Sequence, residues 1–370
     1  MYFLRLPEIA TFMTSHESPP FARRTDRPPR AAARLGLVLV LLLGAGAIHS
    51  EVALTGVGPI VITVSDLDRS MGFYTDVLSF RKIDTRDASL DSFDRLTGLF
   101  GTNVNVANLR LGSEGIQLVE YRTPHGRLVR RDSRSNDTWF QHIAIVVSDM
   151  EAAGARLQRH KVRQISTAPQ ILPKWNQNAA GIKAFYFRDP DDHPLELIQF
   201  PSGKGDPRWH KTPHPAGELF LGIDHTAIVV TDTERSLRLY RDALGFRIVG
   251  ESLNYGVEQD HLNHVFGSKV RITSLRSAAG PGIEFLEYLA PRNGRPTPSN
   301  TTPADLWCLQ TTLIARDFPA ALADLSKRRV GFVSPEPQEI VPFGEKGSKG
   351  ILLRDPDGHV LLLRSPPGSL

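Results

Sequence analysis

The chain contains two copies of one pattern, and this repeat limits the possible folds more than any other feature. Three pairs of segments carry it: 66–80 with 232–246, 115–124 with 282–291, and 187–197 with 353–363. Within each pair the offset is 166 or 167 residues. A near-constant offset over three separated segments indicates a tandem duplication. We therefore predict module 1 at 57–200 and module 2 at 219–366, joined by a linker at 201–217 that is rich in Pro and Gly.

Each copy also divides into two similar halves. Every half begins with an apolar run rich in Val, Ile or Leu, continues with an Asp, and then shows the spacing of an amphipathic helix. The four Asp residues at these junctions are Asp66, Asp149, Asp232 and Asp317. They occupy the position of a helix N-cap, and further apolar strands bounded by turn residues follow them. The chain is thus predicted to be α+β, with four β-α-β-β-β units.

These paired units, with a DPDGH-type turn before the last strand, resemble the vicinal oxygen chelate superfamily. That group includes glyoxalase I, methylmalonyl-CoA epimerase, extradiol dioxygenases, and fosfomycin- and bleomycin-resistance proteins. The resemblance covers about 57–366. It implies a glyoxalase-like fold in which pairs of units curl their mixed sheets into two cups. It also implies that a unit offers one metal ligand from its first strand and one from its last or near-last strand.

At the two ligand positions that this resemblance implies, the four units have very different side chains. In chain order the positions hold Pro59 and Gln117, His142 and Glu196, His225 and Glu284, and Gln310 and Leu362. Only the second and third units supply two imidazoles and two carboxylates. Pairing these units, and the first with the fourth, resembles single-chain glyoxalases made by fusing two copies. This resemblance implies one active cup with one divalent metal ion (Fe, Mn, Zn, Ni or Co) and one vestigial cup.

The apolar surroundings of the two glutamates favour this interpretation. Glu196 lies in PLELIQF and Glu284 in GIEFLEY, where an ionised carboxylate is costly unless it is paired or bound to a metal. Each His or Glu taken singly is better explained as structural. The coincidence of all four at equivalent places in adjacent units is what favours ligation. Glu120 and Glu287 are each three residues further along a strand, so alternation predicts that they point to the opposite face.

Three functional hypotheses remain open. The first is a glyoxalase- or epimerase-like lyase or isomerase that acts on a small oxygenated substrate through a metal-stabilised enediolate. In it, Glu284 or Glu196 serves as the catalytic base, as the resemblance implies. The second is an extradiol-type dioxygenase in which His142, His225 and Glu196 hold an Fe(II) ion. The third is an exported protein that binds a small molecule without a metal.

Charge and hydropathy suggest a separate leader at residues 1–50. It holds six Arg and no Lys against three acidic residues, and an apolar run occupies 35–48. We expect a secretory signal peptide or, because that run is short, an anchor that touches the membrane only there. Export to the periplasm or the extracellular space would follow. The other 320 residues carry 38 basic and 37 acidic groups, and this near-neutral balance argues against nucleic acid as a partner. The sequence leaves the oligomeric state open.

Overall fold

A computed structural model describes residues 54–89, 91–211 and 218–366. Module 1 contains β1 (Leu54–Val64), α1 (Leu67–Gly72), which continues into a π-helical turn (Phe73–Val77), β2 (Arg81–Ala88), α2 (Asp91–Thr97), β3 (Asn103–Leu111), β4 (Glu114–Thr123), β5 (Gln141–Val147), α3 (Met150–Arg159), β6 (Gln170–Ile171), β7 (Lys183–Arg188) and β8 (Pro194–Gln199). A short 3₁₀ helix (Pro207–His210) lies in the linker.

Module 2 repeats this order with one additional short strand after its last helix. It contains β9 (Phe220–Val229), α4 (Thr233–Tyr240), β10 (Arg247–Tyr255), α5 (Val257–Asn263), β11 (Lys269–Arg276), β12 (Gly282–Ala290), β13 (Gln310–Ala315), α6 (Phe318–Lys327), β14 (Gly331–Phe332), β15 (Gln338–Glu339), β16 (Lys349–Arg354) and β17 (Val360–Arg364).

The predicted helix starts are confirmed at all four junctions. Asp66, Asp149, Asp232 and Asp317 each have extended backbone angles, and each side chain accepts a hydrogen bond from the backbone N–H three residues later. This bond satisfies one of the free donors at a helix N-terminus. The chain therefore turns from strand to helix in the same way in every unit.

The strands form two mixed sheets, and their order confirms the predicted pairing of units. The second and third units form one sheet in the order β10-β11-β12-β9-β5-β8-β7-β6, which we call the inner cup. The first and fourth form the outer cup, in the order β14-β16-β17-β13-β1-β4-β3-β2. The units of a pair join through antiparallel first strands, β5 with β9 and β1 with β13. Each cup thus takes one unit from each module.

The side chains of the central strands alternate between a shared core and the two cup interiors. One large apolar cluster contains residues from both sheets and from α1, α3, α4 and α6. A second cluster fills the outer cup, with Phe93 and Phe343 among its members. A third lines the inner cup and includes Ala227, Leu286 and Tyr288. The two cups therefore have separate interiors on opposite sides of a common core.

Two expectations fall outside the residues that the structure describes. The leader at 1–50 is one, and the part of the linker at 212–217 is the other. Among the described residues, no helix has both the length and the apolar character needed to cross a lipid bilayer.

Candidate metal centre

Strand register brings the four predicted ligands together in the inner cup. Ala144 of β5 pairs with Glu196 of β8 on one side and with His225 of β9 on the other. Ala227 of β9 pairs in the same way with His142 of β5 and with Glu284 of β12. The four side chains therefore occupy two neighbouring rows across the sheet, related by an approximate two-fold axis. The small Ala side chains leave space between them.

Three of the four side chains meet closely. One ligand atom from each of His142, Glu196 and His225 lies within 4.8 Å of the others. The Nε2 atom of His142 is 3.0 Å from Oε2 of Glu196, and Nε2 of His225 is 3.6 Å from the same oxygen. Glu284 approaches from the cavity side, with its Oε2 atom 3.3 Å from Nε2 of His225. Its ligation stays a prediction.

The state of the ring nitrogens fits a bound cation. Both ring nitrogens of His142 and Nε2 of His225 are buried, and none forms a hydrogen bond with a residue that the structure describes. The 3.0 Å approach of His142 to Glu196 lacks hydrogen-bond geometry. Lone-pair donors that converge without bonding one another are expected of ligands to one ion, and nitrogen with carboxylate oxygen suits a first-row divalent metal.

The electrostatics of the site also favour one added positive charge. Burial alone raises the pKa of Glu196, but the proximity of His142 and His225 lowers it to about 2. Burial alone lowers the pKa of His225, whereas the charge of Glu284 and the contacts with Asp224 and Glu196 raise it to about 10. Without a metal, the carboxylates hold a proton on His225. A divalent cation would take the place of that proton.

Asp224 orients His225, and sequence reasoning missed it. The register of β9 against β5 skips Asp224, since Ala144 pairs with His225 and Ile145 pairs with Ile223. Asp224 is thus the extra residue of a β-bulge, which can redirect a side chain. Its Oδ2 atom lies 2.9 Å from Nδ1 of His225. A proton on Nδ1 leaves Nε2 free to face the cup, an arrangement common around metal-bound histidines.

Two further side chains hold Asp224 in place. The guanidinium of Arg276 contacts both of its carboxylate oxygens at 2.8 Å. The indole of Trp209, in the linker, donates to Oδ1 at 3.2 Å. Burial alone raises the pKa of Asp224, but His225 and Arg276 hold it well below its usual range. The linker therefore reaches the group that orients a candidate ligand.

Three other ionisable residues of these two units have structural roles. Asp260 accepts hydrogen bonds from the backbone of Gly267 and Ser268, so its carboxylate is occupied in shaping a loop. Glu287 accepts hydrogen bonds from the backbone N–H and hydroxyl of Thr233, at the start of α4 and away from the cup. His193 is fully buried in its hairpin turn, with Nδ1 2.7 Å from Asp189. These three residues do not extend the candidate site.

A cavity of about 1020 Å³ opens onto the candidate ligands. Glu196, His225 and Glu284 lie in its wall. Side chains of the inner cup and the Val57–Pro59 and Ser113–Gly115 segments of the outer cup also line it. A volume of this size would accommodate a small organic molecule beside a cation held by these residues. The arrangement can therefore present two oxygens of one molecule to a bound cation.

Comparison with known proteins identifies the family of the chain. A family model described as the Glyoxalase/Bleomycin resistance protein/Dioxygenase superfamily matches residues 56–197 and 222–363. A 2-epi-5-epi-valiolone epimerase from Actinomyces sp is 32% identical over 148 residues, which is 39% of this chain and 79% of that protein. The lactoylglutathione lyase GLX1 of Arabidopsis thaliana is 25% identical over 190 residues, or 51% of this chain. That match spans about half, 54%, of the plant enzyme.

Solved structures share the fold. Glyoxalase I from Zea mays superposes with a TM-score of 0.55 at 18% identity, covering 85% of this chain and 92% of the maize protein. A putative dioxygenase from Bacillus subtilis gives 0.53 at 14% identity, with 85% and 87% covered. At these identities the similarity concerns the arrangement of the units in space. Both matches extend over the two modules together.

Proposed function

The chain belongs to the Glyoxalase/Bleomycin resistance protein/Dioxygenase superfamily, and from this premise we propose that it is a metal-dependent lyase or isomerase. In this proposal His142, Glu196, His225 and Glu284 hold one divalent cation. The single observation that supports the proposal most is the group of buried nitrogens beside Glu196 that have no hydrogen-bonding partner among the described residues. When bound, the metal acts as a Lewis acid that polarises vicinal substrate oxygens and stabilises the negative charge that develops on them.

The two glutamates have different surroundings, which suggests different roles. Glu196 is 5% exposed and lies between two imidazoles, so it is suited to stay ionised as a permanent ligand. The side chain of Glu284 is 22% exposed and lines the cavity. Its Oε1 accepts a 2.5 Å hydrogen bond from the hydroxyl of Ser274, which leaves Oε2 as the reacting atom. We therefore assign Glu284 as the base that removes a proton next to the substrate carbonyl.

Proton exchange tests this assignment directly. Protein loaded with Co(II), Ni(II) or Zn(II) is incubated in D₂O with 2-epi-5-epi-valiolone or with lactoylglutathione, the compounds named by the two relatives. We expect deuterium to appear by NMR at the carbon next to the carbonyl of at least one compound. Glu284→Gln should slow this exchange at least 100-fold while the protein still binds one cation. No exchange with either compound, or full exchange by Glu284→Gln, would contradict the proposal.

A second candidate function has one observation in its favour. The closest ligand group comprises two His and one Glu, with Glu284 outside it. Two His and one carboxylate are also the donors of non-haem Fe(II) oxygenases. If the chain is a dioxygenase, anaerobic loading with Fe(II) followed by a catechol and oxygen should consume oxygen. Oxygen uptake without deuterium exchange would support this alternative and overturn the first proposal.

A further inference from the structure

The two cups arise from one repeat, so the outer cup serves as an internal reference for the inner one. Most wall positions hold similar side chains in both. The equivalent pairs are Leu96 and Leu262, Val104 and Val270, Val106 and Ile272, Val119 and Leu286, and Tyr121 and Tyr288. Positions where the cups differ therefore indicate what the inner cup does beyond holding a cation.

In the outer cup, apolar side chains fill the corner between β2 and α2. Phe93 of α2 is fully buried, and its ring lies 5.4 Å from that of Phe343 and 6.1 Å from that of Tyr121. Ala88, at the end of β2, joins the same cluster. Apolar side chains thus occupy this corner of the outer cup.

The inner cup has amides at both equivalent positions. With the offset of 166, Ala88 corresponds to Asn254 and Phe93 to Gln259. The amide oxygen of Asn254 accepts hydrogen bonds from Asn176 at 2.6 Å and from Ser252 at 3.0 Å, so Asn254 has partners within the protein. Gln259 does not: its Oε1 atom is buried without a hydrogen-bond partner among the residues that the structure describes.

Gln259 also lies where a substrate would reach it. It is 4% exposed and lines the same cavity as His225 and Glu284. A buried amide without a partner destabilises the protein, and the phenylalanine of the outer cup shows that this corner accepts an apolar side chain. We propose that Gln259 binds a hydroxyl group of the substrate, so that the cup takes a small carbonyl compound with at least one further hydroxyl. This inference rests on the proposed metal-dependent function, because the cation holds the reacting end.

The surroundings favour a neutral hydroxyl over a charged group. Leu262 and Val270 also line the cavity, so an ionised group held by Gln259 would lose water and meet apolar side chains. A hydroxyl is both donor and acceptor, so it can donate to the Gln259 carbonyl and accept from its amide N–H. A substrate site built to hydrogen-bond a hydroxyl discriminates strongly against an analogue that lacks it. Gln259 is thus assigned as a specificity-determining residue.

Hydroxamates provide the test, because they chelate a metal through two vicinal oxygens. Full-length protein loaded with Co(II) is titrated with alkyl hydroxamates and with hydroxyalkyl hydroxamates of equal length, whose arms carry two to five carbons. Changes in the Co(II) absorption spectrum give each Kd. We expect the hydroxyl-ended compound of one arm length to bind about five- to tenfold more tightly than its methyl-ended partner. Gln259→Met, similar in length but without an amide, should abolish this preference and leave the alkyl compounds unchanged.

Two variants guard against indirect effects. Gln117→Met makes the same chemical change in the outer cup and should keep the hydroxyl preference. Gln259→Phe installs the side chain of the outer cup, and should exclude the longer arms while one Co(II) stays bound. A hydroxyl preference that survives in Gln259→Met, or that no arm length shows, would overturn this inference alone. Failure to bind Co(II) or any alkyl hydroxamate would instead overturn the proposed function, and the inference with it.

Discussion

A single extra residue in β9 brings Asp224 within hydrogen-bonding distance of His225. Regular alternation would send adjacent side chains to opposite faces of the sheet. The bulge changes this, because Ile223 enters the common core while His225 faces the cup and Asp224 stays beside it. The outer cup has Gly58 at the position equivalent to Asp224, so it lacks this carboxylate. A carboxylate that orients the first-strand ligand is therefore a feature of the inner cup and not of the repeated unit.

Replacing Asp224 tests its effect on the candidate ligand. Asp224→Asn retains the shape of the side chain but loses the charge that faces Nδ1 of His225 and Arg276. We expect about 10- to 100-fold weaker Co(II) binding, as found when such supporting carboxylates are removed. Isothermal titration calorimetry measures the affinity. Asp149→Asn, which changes a helix cap, serves as the control, and an unchanged affinity in Asp224→Asn would show that the contact has no such role.

The difference between the cups gives a second test at single residues. His142→Ala and His225→Ala should each abolish binding of the one cation expected per chain. Gln310→Ala and Gln117→Ala, at the places equivalent to His142 and Glu284, should leave that stoichiometry intact. The reason is that imidazoles bind first-row metals well and neutral amides poorly. Elemental analysis of the purified variants provides the measurement, and loss of metal in Gln117→Ala would show that the outer cup takes part.

The repeat located the four candidate ligands in the sequence, but it could not locate their supports. His142 and Glu284 are 142 residues apart, yet both belong to one recurring unit pattern. Asp224 adjoins His225 in the sequence, and alternation gave a reason to disregard it. Trp209 lies in a linker with no periodic pattern, so nothing in its neighbourhood pointed to the site. Contacts created by a bulge or by an irregular segment depend on the assembled fold.

At the scale of elements, the strands and the four helices that follow a capping Asp were predictable, and the other two helices were not. The four N-capped helices follow from the capping Asp residues and from helical periodicity, and the strands that precede them follow from their apolar runs. The helices α2 and α5 have seven residues each, too few for a clear helical period. The outer-cup corner packed by Phe93 and the Gln259 position both lie on these helices. The feature that distinguishes the two cavities was thus least visible in the sequence.

The hairpin turns before β8 and β17 contain a buried Asp–His pair, which predicts a dependence of stability on pH. In the second turn, Nδ1 of His359 lies 2.9 Å from Asp355. Burial alone lowers the pKa of His359, but Asp355 raises it above its ordinary value of 6.5. Burial alone raises the pKa of Asp355, but His359 lowers it below 3.8. The pair should therefore stabilise the fold most at pH values between 3.8 and 6.5.

The sign of each contribution follows from linkage. The His359 contribution is complete below pH 6.5 and is lost as the pH rises through the elevated pKa of the folded state. The Asp355 contribution is lost as the pH falls below 3.8. Relative to wild type, the melting temperature of His359→Gln should be lower by a few degrees at pH 5.5, and the difference should narrow towards pH 9. Exposed His160→Gln is the control, and a constant difference across this range would contradict the assignment.

At the scale of the whole molecule, the two modules hold each other through reciprocal contacts. Arg127 of module 1 binds Asp305 of module 2 at 2.6 Å, and Arg295 of module 2 binds Asp137 of module 1 at 2.6 Å. Each arginine also lies over a tryptophan, at 4.7 Å from the Trp307 ring and 4.8 Å from the Trp139 ring. The repeat predicted two similar modules, but these crossed contacts could be identified only in the folded chain. These contacts stabilise the interface between the two modules, and each cup combines one unit from each module.

Breaking one of these contacts should destabilise the assembly substantially. Asp137 has no exposed side-chain surface, whereas the side chain of Arg295 is 28% exposed. Arg295→Ala would leave Arg134, at 3.6 Å, as the remaining cation beside the buried Asp137 carboxylate. Removing one partner of an ion pair costs about 3–5 kcal/mol when both partners are buried. Since Arg295 is partly solvated, we expect the free energy of unfolding to fall by about 2 kcal/mol. Urea unfolding followed by tryptophan fluorescence measures it.

The equivalent ion pair between Arg127 and Asp305 provides a comparison within the same protein. Arg127→Ala should cost somewhat less, because its side chain is 46% exposed. The double variant should lose roughly the sum of the two, since the pairs share no partner. Arg241→Ala removes an exposed arginine that contacts Asp242, and should change stability by less than about 0.5 kcal/mol. If Arg295→Ala cost no more than Arg241→Ala, the apolar contacts along the seam, and not the crossed ion pairs, would be what holds the two modules together.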